Sequence, residues 1–306
     1  MARIVILLTI LIPLLLLFAC GKKEVGEDYY TEDEMPAQSS NEYSESEQSD
    51  TLNSEHKDRP ASSPGSTIAN YEYTWTGSDA IPDVVIIIDD FGYAAGSLLE
   101  DFASLPKEIV FAVLPDLPQT ARSGQIASQN GHEVIIHVPM QALNSPTSPG
   151  ARYIKTGMQA EEIRELLSDF HRQIPMAIAA NNHMGSSATS NEELMNPVLD
   201  HLNSLGLFFI DSAVTANRLS YNLAKQKGFR SHRRDIFLDV PDNTDATIAQ
   251  KIEGLGRYKG RREPIVVITH CHNRSKLEAL QKFITQIQAM GVRIISLREA
   301  AQYAAL

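Results

Sequence analysis

From residue 81 onward, short apolar runs rich in β-branched residues alternate with longer segments whose apolar residues recur at helical spacing. The runs are DVVIIID (83–89), EIVFAVL (108–114), EVIIHV (133–138), MAIAA (176–180), LFFID (207–211), DIFLD (235–239), PIVVITH (264–270) and VRIIS (292–296). Between them lie amphipathic stretches such as AEEIRELLSDFHRQI and SKLEALQKFITQIQAM. Parallel strands need a crossover long enough to return the chain to the same end of the sheet, and a helix usually supplies it. The alternation therefore predicts an α/β fold on a parallel sheet. Two closures fit, an open doubly wound sheet and a barrel, and the polar residues choose between them. Asp89, Asp90, His137, His183, Asp211, Asp239 and His270 fall at or just beyond the C-terminal ends of different runs. In a barrel those ends converge on one mouth, whereas an open sheet gathers only the strands at its switch point. The expected fold is a distorted (β/α) barrel with seven or eight parallel strands.

The first eighty residues read differently. MARIVILLTILIPLLLLFAC carries a single basic residue, Arg3, before a long apolar run, and LFAC followed by Gly21 resembles a bacterial lipobox. Residues 1–20 are expected to be a lipoprotein signal peptide cleaved before Cys20, which is then lipidated; an uncleaved anchor is the alternative, although the run is near the lower limit for a span. Residues 21–78 are polar and acidic, a composition that cannot bury enough apolar surface to offset ordering entropy, so a disordered tether is expected there. The folded domain is expected over 79–306, with the single Trp75 in the tether. Residues 21–66 hold twelve acids and four bases in a chain of formal net charge −11, so most of the negative charge belongs to the tether. The acidic balance argues against nucleic acid as a partner. The chain is expected to be exported and held at the membrane by a lipid on Cys20. Only Cys271 remains besides Cys20, which leaves no intrachain disulfide in the mature form; Cys271, within THCHN, reads as a small buried residue beside the site.

The strand VVIIIDDFGY raises a specific problem, because five consecutive aliphatic residues lead into two adjacent carboxylates. Buried charges need partners or a metal. The motifs IIIDDFGY, GHEVIIHVPMQ, NNHMGS and FIDS, in that order and at strand ends, together resemble the divergent branch of the polysaccharide deacetylases over residues 81–297. That resemblance implies that Asp90 is a metal ligand, that Asp89 is the general base, and that His137 is the metal-binding His of the second motif. The ordinary family has another His four residues beyond it, where this chain has Gln141. His183 lies where the ordinary family has an Arg-Pro-Pro-Tyr type of motif, and it is the expected replacement ligand. His270 matches the general acid of the last motif. Asp211 matches the Asp that orients this His, although the Trp that usually accompanies it is missing. Gln141, Asn182 and Asp211 are expected beside the metal or the substrate. Asp239 reads as a residue that supports the site from behind or as a helix cap, the cap being favoured; His272 as a rim residue; His132 as structural; and Arg218, Arg233 and Arg234 as solvated surface.

Two carboxylates can remain ionised side by side when a cation offsets their repulsion. With two imidazoles and one carboxylate as ligands, the resemblance implies a divalent metal, zinc first, with a position left open for water. The implied activity is hydrolytic removal of acetyl groups from an envelope or extracellular glycan. The alternative is a catalytically inactive deacetylase scaffold that binds glycan or serves as an envelope scaffold protein, because a fold does not guarantee its chemistry.

Overall fold

The computed structural model describes residues 68–303. The signal peptide, Cys20 and residues 21–67 of the expected tether lie outside the described residues. Eight parallel strands form one sheet: β1 (Val84–Phe91), β2 (Val110–Val113), β3 (Val134–Met140), β4 (Ala179–Met184), β5 (Phe208–Asp211), β6 (Ser231–Arg233), β7 (Ile236–Phe237) and β8 (Ile265–His270). The spatial order is β6-β5-β4-β3-β2-β1-β8-β7. The two edge strands are therefore neighbours in sequence, separated only by Arg234 and Asp235. Eight flat strands would hold these edges roughly 34 Å apart at the usual interstrand spacing, far beyond the reach of two residues. The sheet must curl until its edges meet. Among the described residues no ladder joins β6 to β7, so the barrel has one open seam. Arg234 fills it: its backbone N–H donates to Asp211 O, extending the β5–β6 ladder, and its guanidinium donates to Ser212 O and Ala213 O while lying over the Phe237 ring of β7 at 4.4 Å. The solvated-surface reading of Arg234 is thus corrected to a buried residue.

Helices α1 (Gly96–Ala103), α2 (Thr120–Gln129), α3 (Ala160–Gln173), α4 (Glu192–Ser204), α5 (Leu219–Gln226), α6 (Asp245–Gly254), α7 (Arg274–Ala289) and α8 (Leu297–Tyr303) complete the fold. In α3, Ile163, Leu166, Leu167 and Phe170 recur on one face and are buried. The Glu162 carboxylate accepts from the Gln159 backbone N–H at 2.6 Å, which satisfies a donor at the helix start. Two cores result from the alternation of side chains along each strand. Val85, Ile87, Val110, Ala112, Ile135, Ala179, Ile210, Val266 and Ile268 fill the barrel interior, while Ile86, Ile88, Phe111, Ile136, Phe209 and Val267 pack outward against the helices.

Three expectations are revised. The run 292–296 does not form a strand but a single bridge, Val84 to Ile294, and the eighth strand is instead the short β6. The expected strand 176–180 begins later and runs on through NNHM, so His183 lies within β4. Trp75 is part of the core: it is 4% exposed, its Nε1–H donates to Ile252 O at 3.0 Å, and a Cβ at Gly256 would lie 2.9 Å from its ring. Trp75→Ala is expected to destabilise the chain by about 3–5 kcal/mol, the usual cost of truncating a buried Trp, as read from urea unfolding.

Candidate metal centre

Strand parity brings the polar residues together. Asp89 continues the inward series Val85, Ile87; His137 follows Ile135; Asn181 and His183 follow Ala179; His270 follows Val266 and Ile268; and Asp239 follows Phe237. Asp90 would point outward with Ile86 and Ile88. Its backbone sits instead at φ 70, where the β1–β2 register shifts between Ile88 and Phe91, and this break turns the carboxylate back into the mouth. A left-handed conformation is uncommon in a residue other than glycine, and it often marks a functional constraint.

Asp90, His137 and His183 converge. His137 Nε2 lies 3.3 Å and His183 Nδ1 3.1 Å from Asp90 Oδ1, and the two nitrogens are 3.1 Å apart. Ligands at about 2.0–2.1 Å around a tetrahedral ion lie about 3.3 Å from one another, close to the edges of this triangle. Asp90 Oδ1 is buried and accepts no hydrogen bond of acceptable geometry. A buried carboxylate oxygen without a donor, facing two imidazole nitrogens, is the electron-rich environment that a divalent cation needs. These residues fit a metal.

The hydrogen bonds around the triangle fix its chemistry. The Asn181 amide donates to Asp89 Oδ1 at 2.9 Å, so its carbonyl oxygen faces His137 Nδ1 at 2.8 Å and accepts that proton. Once the ring loses its second proton, this bond leaves His137 Nε2 with its lone pair aimed into the triangle, as in many metal-ligating histidines held by an outer hydrogen bond. Asp89 Oδ2 lies 3.8 Å from the same Nε2. Burial pushes the Asp89 carboxyl up, against the pull of His137 and His270. Burial would also raise Asp90, but His183, His137 and His272 outweigh it and hold this carboxyl well below the usual range. Burial disfavours the charged form of His137, yet Asp89 and Asp90 overcome it and push the imidazole up to about 9.

On the opposite wall, the Asp239 carboxylate accepts from His270 Nδ1 at 3.0 Å and from the His270 backbone N–H at 3.2 Å. Burial lowers His270, and Asp239 more than compensates, so its pKa is raised overall. The expectation that Asp211 orients this His is corrected: Asp239, favoured above as a helix cap, occupies that place. Asp211 shares the outward parity of Phe209 and bonds the Ala213 N–H and the Ser220 hydroxyl. Asn182 also faces outward, and its side chain bonds Met184 O and the Ser212 N–H, so it ties the end of β4 to the segment after β5 rather than to the triangle. Gln141 is engaged elsewhere, its side-chain oxygen accepting from the Thr156 N–H at 2.8 Å. Asn181 and His272 are the residues that the sequence reading missed in this role. Inward parity marks Asn181. His272 is no rim residue, because its Nε2 lies 2.5 Å from Asp90 Oδ2. His132 is buried between Ile109 O and Ala103 O, and Cys271 is buried and faces the outer layer.

The site is an acid pair and two histidines at the mouth of a parallel barrel, and comparison with known proteins names the family. The sequence profile of the divergent polysaccharide deacetylases matches residues 86–301, and the chain belongs to that family. It is 32% identical over 190 residues to an uncharacterized protein of Haemophilus influenzae and 33% identical over 190 residues to the uncharacterized protein YibQ of Escherichia coli. These alignments cover 61% and 62% of this chain, and they span 66% and 58% of the two relatives. Among solved structures, an uncharacterized protein of Agrobacterium tumefaciens superposes with a TM-score of 0.63 at 22% identity, covering 76% of this chain and 94% of that one. At that identity the likeness is one of fold.

Proposed function

We propose that the chain is an exported, metal-dependent hydrolase that removes acetyl groups from an envelope or extracellular polysaccharide, tethered to the membrane through a lipid on Cys20. The observation that carries the reading is the donor triangle of Asp90, His137 and His183 beside a second buried carboxylate, inside a barrel of the deacetylase family. Asp90 Oδ1, His137 Nε2 and His183 Nδ1 would hold the cation, and the donor set suits zinc. When bound, such a cation acts as a Lewis acid toward an acyl carbonyl and lowers the pKa of water.

The chain's own groups do the rest. Asp89, raised by burial, is placed to accept the proton of the attacking water, since a base works best when its pKa approaches the working pH. His270, fixed through Nδ1 by Asp239, presents Nε2 and carries the proton that the departing nitrogen or oxygen needs. A cleft of about 950 Å³ beside the loops after β3 and β4 is lined by Leu143, Asn144, Ser186, Val214 and Thr215 among others. Glu192 and Glu193 also line it, and these carboxylates beside the hydroxyl, amide and apolar groups suit an uncharged sugar better than an anion.

The competing reading, an inactive scaffold that binds glycan, rests on Gln141 standing where the ordinary family has a His. Three donors still converge without it, which favours catalysis. The test is acetate release from N-acetylated chitooligosaccharide and from acetylated peptidoglycan by the full chain. The proposal predicts release that a chelator abolishes and zinc restores. Saturable glycan binding with no acetate at any zinc concentration would establish the scaffold instead.

A further inference from the structure

Asp90 has two carboxylate oxygens, and the cation reading uses only Oδ1. The other, Oδ2, lies 2.5 Å from His272 Nε2. On the far side of the same ring, His272 Nδ1 faces Lys276 Nζ at 3.3 Å. Lys276 is itself held by the Asp239 carboxylate at 2.7 Å, and its side chain is only 14% exposed. An ammonium group has donors and no lone pair, so an imidazole nitrogen bonded to it must be the acceptor. His272 Nδ1 is thereby left without a proton, Nε2 carries it, and Nε2–H donates to Asp90 Oδ2. The sequence sets this up locally. The Asn273 side chain accepts from the Lys276 N–H at 3.0 Å and starts α7 one residue after His272. Lys276 then falls four residues beyond His272, one helical turn away and on the same side. The His270 ring, stacked on that of His272 at 4.9 Å, closes the remaining face.

We propose that Lys276 and His272 form a positioning pair that occupies Asp90 Oδ2 with a fixed N–H donor and so leaves Oδ1 as the single oxygen offered to the cation. Asp239 ties the two walls of the mouth together, because the carboxylate that holds His270 also anchors the lysine that orients His272. Neither His272 nor Lys276 need touch substrate; both act through Asp90. The inference rests on the reading of Asp90, His137 and His183 as a metal centre, and it adds residues that the metal triangle alone does not require.

Two measurements on the full chain test it. In long-range ¹H–¹⁵N spectra of metal-free, histidine-labelled protein, with His272 assigned by the resonances lost in His272→Gln, the pair predicts a protonated Nε2 and an unprotonated Nδ1. Zinc affinity is then compared among variants whose unfolding midpoints are recorded separately. His272→Leu and Lys276→Met should each weaken binding by about ten- to a hundredfold, the usual range for groups that orient a ligand. His272→Gln, which restores an N–H donor at a similar reach, should regain most of the loss. A proton on Nδ1, or equal affinities for the Leu and Gln variants, overturns the pair. If the parent binds no zinc, the metal-centre reading fails on its own, and the tautomer in the metal-free spectrum still decides whether Lys276 orients His272.

Discussion

Asp90→Ala is expected to lower divalent-cation affinity by more than about a hundredfold, beyond what loss of an orienting group alone produces. Asp90 is the only carboxylate in the triangle, and its Oδ1 is the only one of the three donor atoms that carries formal charge. Removing it leaves two imidazoles 3.1 Å apart with no charged ligand to offset the cation's desolvation. The parent chain should show a matching pH dependence. Without a cation, His137 is held up to about 9 by Asp89 and Asp90, so below that pH it is protonated and must lose a proton to become a ligand. Affinity should therefore rise with pH, by about tenfold per unit when one proton is displaced, and level off above 9. Calorimetric titration in buffers of different ionisation enthalpy reads both the affinity and the proton released. Affinity independent of pH between 6 and 8 would contradict the role of His137.

Asp89→Asn should have the opposite profile, keeping the metal and losing about 10²–10⁴-fold in turnover, the usual contribution of a general base. The substitution is close to isosteric, and the amide oxygen can still accept from Asn181, so the hydrogen bond that orients His137 through Asn181 survives. What disappears is a buried carboxylate that can take a proton. Because burial raises the Asp89 pKa, parental activity should fall as pH drops toward that raised value, while the variant's residual activity should lack this limb. Acetate release measured against pH for both proteins, at saturating zinc, is the check. Parental rates in the Asn variant would mean that another group accepts the proton.

Most of the architecture was legible in the sequence because aliphatic runs and amphipathic segments encode local structure directly. Where the reading slipped, the cause is physical. A strand of three residues such as β6 leaves almost no hydrophobic signature, and its place in the sheet is set by its ladder to β5 rather than by its own composition. At the site, strand ends were a good guide and strand parity a better one. Asp211 and Asp239 both end apolar runs, yet counting by twos from the interior residues sends Asp211 outward with Phe209 and Asp239 inward with Phe237. The same count separates Asn181 from Asn182. Asp90 is the instructive exception, because parity alone would point it away and only the positive φ at the β1 bulge returns it. His272 could not be placed by parity at all, since it follows the strand; its position depends on where Asn273 starts α7.

The most direct test of the metal centre is anomalous X-ray scattering from crystals of the zinc-loaded chain, collected on both sides of the zinc absorption edge. One strong peak is expected, bonded to Asp90 Oδ1, His137 Nε2 and His183 Nδ1, with His272 still on Asp90 Oδ2. A peak at other residues, or none in crystals grown with excess zinc, would contradict this assignment.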